Sequence, residues 1–169
     1  MAESGKALPW GRERPIWVHS MRTALVAVAS MLVARLFLLP EAYWAPITSV
    51  VVTQSSLGAA LAVSWQRFFG TVLGALAGAI IASRFEPHVA VFGVSVFLLG
   101  LLCAAVHADW SAYRFAGITL TIVLLIPRAD PPWKTAFHRC AEVSIGIAVA
   151  LLFAAVWPEG EATAAAQKK

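Results

Sequence analysis

Residues 43–64 read YWAPITSVVVTQSSLGAALAVS, and residues 67–83, just beyond Trp65 and Gln66, read RFFGTVLGALAGAIIAS. Two aromatic residues followed by a proline in the first turn mark the start of a membrane helix. Tyr43 and Trp44 suit the headgroup boundary, and Pro46 lacks only an N–H that would have no helical partner. Both stretches are apolar enough for the hydrocarbon, where one helical crossing takes roughly 20 apolar residues. Four further runs lie to either side, at 21–39, 89–106, 112–126 and 139–157. Pro40, Pro87, Pro127, Pro131, Pro132 and Pro158 fall between or after the runs, where they leave helix interiors intact. The expectation is an all-α membrane protein of six transmembrane helices.

Composition points the same way. Of 169 residues, 60% are hydrophobic and 13% charged, about half the charge of an ordinary soluble domain, and the mean hydropathy is +0.76. A water-soluble globule of this size cannot hide so much apolar surface. The membrane unit takes up residues 21–158, between a polar arm at 1–20 and a tail at 159–169. That leaves no room for a separate soluble domain and excludes most enzyme classes. No nucleophile–base pair, metal cluster or phosphate-binding loop is legible, so neither a cofactor nor a metal is expected. The stretch Thr23–Ala34, between Arg22 and Arg35, has the length of a signal-peptide core. No clean small-residue cleavage site follows it, so it reads as a retained first helix.

A net charge of +4 would suggest nucleic acid in a soluble chain. Here basic residues flank lipid-bilayer spans and orient them, and no nucleic-acid partner is expected. Six spans put both termini on one side. Lys6, Arg12, Arg14, Arg22, Arg67, Arg114, Lys168 and Lys169 fall on that side, against Arg35, Arg84, Arg128, Lys134 and Arg139 opposite. This bias favours cytoplasmic termini. Cys103 and Cys140 lie inside apolar runs and read as packing residues.

The chain also repeats itself. Arg67 precedes Gly74 by seven residues, and 72 positions later Arg139 precedes Gly146 by seven. Ala42-Tyr43, leading to Ile47-Thr48, recurs as Ala112-Tyr113, leading to Ile118-Thr119, 70 to 71 positions on. A three-helix unit used twice must reverse direction, giving two inverted three-helix repeats about an axis in the membrane plane, as in many secondary transporters. Coincidence in a sequence of such low complexity is the alternative.

Several residues are candidates for function. Gly70, Gly74 and Gly78 recur every four positions, a stripe that lets a second helix approach closely, and Gly146 begins a weaker one. Polarity concentrates at Thr48, Thr53, Gln54 and Ser55. In a continuous helix from Tyr43, Gln54 lies about 16 Å along the axis, near the bilayer centre. Hydroxyls satisfy themselves on their own backbone. Gln54 does so less easily, so this stretch reads as a helix break lining a substrate path. Arg67 and Arg139 stand at the starts of their runs, where the helix dipole disfavours cations. Snorkelling to the interface is one reading; attraction of a small organic anion is the other, with Trp44, Phe68 and Tyr113 supplying ring contacts. Glu142, one turn after Arg139, can pair with it. With His138 it makes the candidate pair for coupling to a proton gradient.

The strings Tyr43–Gly58 and Gln66–Ala75 resemble the fusaric acid resistance protein-like (FUSC) family, also called the aromatic acid exporter or integral membrane-bound transporter family. Arg22-Thr23-Ala24-Leu25 fits as well, as does the stretch from Arg139 through Glu142 and Gly146 to Trp157-Pro158. The resemblance spans residues 20–158. It implies a six-helix inner-membrane unit that exports aromatic and other weak organic acids on the proton gradient. Relatives often carry Pro where Ser55 stands, and many append a cytoplasmic domain or a second unit. A single unit is therefore expected to form a homo-oligomer, a dimer. The leading expectation is a non-enzymatic exporter subunit for aromatic or amphipathic organic acids. The alternative is a non-transporting membrane scaffold or partner subunit that assembles through its glycine-rich helix faces.

Overall fold

The computed structural model describes residues 16–54, 56–126 and 130–157. Ser55, the tail at 159–169 and all but the end of the arm at 1–20 lie outside the described residues. The chain forms six helices: α1 (Ile16–Leu36), α2 (Trp44–Val52), α3 (Leu57–Ala82), α4 (Val89–Ala105), α5 (Trp110–Leu125) and α6 (Pro132–Val156). No strand occurs among the described residues. By length and apolarity α1, α3 and α6 can each cross a membrane, while α4 and α5 are shorter apolar helices.

The stretch 43–64 breaks between Val52 and Leu57, where its polar residues suggested, but residues 57–64 belong to the third helix, which corrects the expected bounds of both runs. Helix α2 stops after nine residues, about 14 Å of rise. A short link follows, and α3 then runs uninterrupted from Leu57 through Arg67 to Ala82. Three interactions stabilise the break. Thr53 turns extended, and its hydroxyl donates to the Ser49 carbonyl at 2.7 Å. Ser56 caps α3 by accepting from the Ala59 N–H. Arg22 of α1, only 1% exposed, donates from Nη2 to the Gln54 carbonyl at 3.4 Å. There its charge faces the negative end of α2. Arg22 is therefore an internal tie, and it leaves the set of flanking charges together with the buried Arg67 and Arg139.

Helix α1 runs antiparallel to both of the helices it packs against. Arg22 meets Gln54 while Ser30 Oγ meets Ser49 Oγ at 3.0 Å, so α1 and α2 are antiparallel. Val26 packs with Ala150, and Ala34 near Ile145, so α1 and α6 are antiparallel too. Residues 16 and 157 consequently emerge at the same end of the bundle.

The glycine stripe shows how the bundle closes. A Cβ on Gly70 would lie 2.3 Å from the Ala112 carbonyl oxygen, and one on Gly74 2.1 Å from that of Ala116. On Gly78 it would press on Val123 and Leu120. Contacts rising together on both helices make α3 and α5 a parallel pair at backbone distance, the geometry small residues permit in lipid. On α6, a Cβ on Gly146 would lie 2.5 Å from the Ala45 carbonyl oxygen and 2.6 Å from Thr48 Cβ. Gly74 on Ala116 and Gly146 on Ala45 are one contact made twice, displaced by 72 positions on one helix and 71 on the other. The turns repeat as well. Leu38 and His107 both have φ 53°, and each ends a helix with the same reaching bond, Leu39 N–H to Ala34 and Ala108 N–H to Cys103. The glycine faces are thus filled by α5 and α2 of the same chain, and they are not open to an outside partner.

This packing yields a test. Gly74→Ala should destabilise the detergent-solubilised protein by about 1–3 kcal/mol, because the new methyl must push a backbone carbonyl aside. Gly93→Ala on α4, with nothing within 4 Å, should be neutral or stabilising by up to about 1 kcal/mol. Thermal unfolding of the two variants checks the contrast.

Candidate functional site

Three arginines are buried inside an apolar bundle, and what each one touches defines the site. Neither Arg67 nor Arg139 stands at a helix start, as the sequence suggested. Arg67 is the eleventh residue of α3, about 4 Å from the helix midpoint, and Arg139 lies two turns into α6. Snorkelling is excluded for both: Arg67 is 7% exposed and Arg139 3%.

Arg139 is enclosed by opposite charge. Its Nη2 pairs with Glu41 Oε2 in the turn before α2, and its Nη1 lies 3.4 Å from Glu142 Oε2. Its guanidinium carbon stands 4.2 Å from the centre of the Trp44 ring. The Trp44 indole N–H donates to that same Glu41 oxygen at 2.9 Å, so ring, cation and carboxylate lock one another. Charge-assisted bonds of this kind, with a ring below the cation, offset the cost of taking a guanidinium out of water.

Arg67 has a different environment. Its Nε donates to Thr48 Oγ1 at 3.1 Å, and its guanidinium carbon lies 4.8 Å from the centre of the Phe115 ring. Among the described residues no carboxylate pairs with it. A charge held near mid-helix by one hydroxyl and one ring is incompletely compensated, and intramembrane charges are costly enough that such a position is a candidate functional site.

Two small cavities meet at Arg139. One, of about 50 Å³, is lined by Pro40, Glu41, Asp130, Thr135, His138, Arg139 and Glu142. It lies by the exposed Lys134–Asp130 ion pair at the start of α6. The other, of about 20 Å³, is lined by Arg67 and Arg139 with Trp44, Phe115, Thr71, Thr119 and three aliphatic side chains. Arg139 is the residue common to both, so it stands between an outer polar chamber and the inner one that holds Arg67.

The structure therefore brings together Trp44, Thr48, Arg67, His138, Arg139 and Glu142 of the residues singled out from the sequence. Thr53 and Gln54 lie elsewhere. Gln54 sits in the link after α2 and satisfies its amide on the Val51 carbonyl at 3.2 Å, and it lines neither arginine cavity. Ser55 is outside the described residues. Tyr113 faces a cleft between α4 and α5, beside Gly100, and Phe68 lines a groove between α3 and α6. Sequence reasoning missed Glu41, Phe115, Thr71 and Thr119. Phe115 was within reach of it, since it stands 71 positions after Trp44, in the register set by Thr48 and Thr119.

The two arginines should respond differently to neutral replacement. Arg139→Met removes the cation from a buried pair and should cost about 3–5 kcal/mol of stability. Arg67→Met removes a charge with no carboxylate partner and should leave the unfolding temperature unchanged or raised. Thermal unfolding in detergent distinguishes them.

Comparison with known proteins places this arrangement in a family. The model of the fusaric acid resistance protein-like family matches residues 26–153. Inner membrane protein YeeA of Escherichia coli strain K12 is 33% identical over 153 residues, which cover 84% of this chain and 41% of that protein. The uncharacterized transporter YdhK of the same strain is 29% identical over 150 residues, 83% of this chain and 22% of that protein. Its Salmonella typhimurium namesake is 29% identical over 140 residues, 78% of this chain and 21% of that protein. The chain thus spans less than half the length of these curated relatives. No solved structure matches. A family match over residues 26–153, which include Arg67 and Arg139, settles the membership: the chain belongs to the fusaric acid resistance protein-like family.

Proposed function

We propose that this chain is a subunit of an inner-membrane exporter for aromatic or amphipathic organic acids. The observation that carries this reading is Arg67: a buried guanidinium near mid-helix, lacking a carboxylate partner among the described residues and lining a cavity with hydroxyls and rings. A weak organic acid in its anionic form supplies the missing charge, and its apolar body suits the aromatic and aliphatic lining. The family match, the name inner membrane protein for one relative and the name transporter for the others support both transport and location.

His138 and Glu142 line the outer cavity together. We assign them the proton-coupling step: a carboxyl beside Arg139 takes up a proton when an incoming anion competes for the arginine, and imidazole relays it. Without the buried Arg22, Arg67 and Arg139, the count of flanking basic residues in the sequence still favours cytoplasmic termini.

Cavities of about 20 and 50 Å³ are smaller than the roughly 150 Å³ that holds a benzene ring. An aromatic acid therefore needs the inner chamber to widen or a second copy to complete the passage, and a homodimer is the working unit in this reading.

The test is organic-acid sensitivity and efflux in cells lacking the gene, complemented with wild type or Arg67→Ala. Wild type should restore resistance. Arg67→Ala, present at wild-type level, should lose flux about ten- to a hundredfold, the worth of a hydrogen bond to a charged group. Undiminished efflux by Arg67→Ala would sink the reading.

A further inference from the structure

The repeat places two versions of one chemical unit around the inner cavity. At Arg139 the guanidinium lies over Trp44 and bonds Glu41. At Arg67, 72 positions earlier, it lies over Phe115, which matches Trp44 at 71 positions on. At the displacements of 69 to 71 that the repeat shows here, Glu41 falls on Trp110, Ser111 or Ala112, none of which is an acid. Cation and ring recur, and the carboxylate does not. The turn before α2 thus delivers to Arg139 the one group that Arg67 lacks.

Glu41 also differs from the second carboxylate at Arg139. Glu142 is 0% exposed on a helix interior, whereas Glu41 keeps 21% of its side chain exposed. It lies in the turn that opens with the left-handed Leu38, and it lines the outer cavity. A short displacement would carry its charge into water without stranding it in the bundle. Arg139 cannot move away so easily, since it is anchored on α6 between the two cavities.

We propose that Glu41 is a tethered stand-in for the transported carboxylate. It occupies the anion position on Arg139, closes the way from the outer cavity to Arg67, and yields when a free carboxylate takes its place. This deepens the transport reading and rests on it. The exchange is one carboxylate for another, so it is nearly balanced in energy, and Glu41 recovers hydration as it leaves. A neutral solute gains nothing from Arg139 and cannot displace Glu41, because a ligand shifts an equilibrium only by its differential affinity for the two states. The arrangement therefore selects carboxylate monoanions. The Trp44 N–H adds to this selection, since it donates to the same oxygen as Arg139 and rewards a planar acceptor that reaches both.

The experiment measures benzoate binding to the purified full chain by calorimetry in detergent and benzoate flux in liposomes. With Arg139 occupied by Glu41 for all but about a tenth of the time, freeing it should tighten apparent binding about tenfold, by the fraction that becomes competent. Glu41→Gln should show that gain and a higher flux at low benzoate, with no gain for benzamide, the neutral isostere. Trp44→Phe keeps a ring under Arg139 but removes the N–H that holds Glu41, and it should give a smaller gain in the same direction. It also serves if Glu41→Gln fails to fold. Benzoate affinity no tighter than wild type in both folded variants, or in Trp44→Phe alone if Glu41→Gln does not fold, overturns the proposal. Flux indifferent to Arg67→Ala overturns the transport reading instead, and the Glu41 assignment is then judged on the binding result alone.

Discussion

A guanidinium inside hydrocarbon must find partners, and the partners available to three buried arginines organise this bundle. All three reach the shortest helix. Arg22 caps the link that follows α2, Arg67 bonds Thr48 at its middle, and Arg139 is locked to Glu41 and Trp44 at its start. A nine-residue helix cannot hold its place by apolar burial alone, since lipid chains are as apolar as its valines. Polar ties at both ends and the centre give it a fixed register instead. They connect α2 to α1, α3 and α6, so chemistry that is costly in a membrane becomes the means of assembly.

The halves of the chain share packing but not chemistry. Backbone-close contacts at Gly74 and Gly146, matched turns at Leu38 and His107, and cation–ring pairs at Arg67 and Arg139 all recur at displacements of 69 to 72 positions. The carboxylates do not recur: Glu142 corresponds to Gly70 on α3, and Glu41 falls on Trp110 to Ala112 at the start of α5, none of them acidic. A smooth glycine at position 70 lets α5 close in, and that closeness leaves no room for an acid beside Arg67. Helix packing in one half and ion pairing in the other are alternative uses of equivalent positions. The resulting imbalance gives the inner cavity one cation paired with carboxylates and one that is not.

Function follows from that imbalance more than from any single motif. A fully symmetric unit with a carboxylate on each arginine would be a structural core, and one with none would be too costly to insert. In the proposed exporter, one closed arginine next to one open arginine attracts an anion and limits its approach. The small volumes on either side of Arg139 fit an occluded arrangement, in which passage requires a side chain to move rather than a whole helix.

The amino-acid sequence by itself determined the class, the approximate crossings and the small-residue interfaces, because hydrophobic length and four-residue glycine spacing are local properties that a bilayer reads directly. It also carried the repeat, down to the spacing of Arg67 and Arg139. Tertiary structure alone decided where the charges sit. The polar residues at 53–56 announce a break in 43–64, and Thr53 and Ser56 stabilise it locally, but nothing in the stretch shows that Arg22 of another helix caps the link or that α3 already starts at Leu57. The same holds for Arg67, which becomes a mid-helix residue only because α3 begins ten positions earlier, at Leu57. Glu41 reads as an ordinary turn acid after Pro40, and its role exists only once α6 brings Arg139 to it. Pairings between residues about a hundred positions apart are set by packing, and no local pattern encodes them.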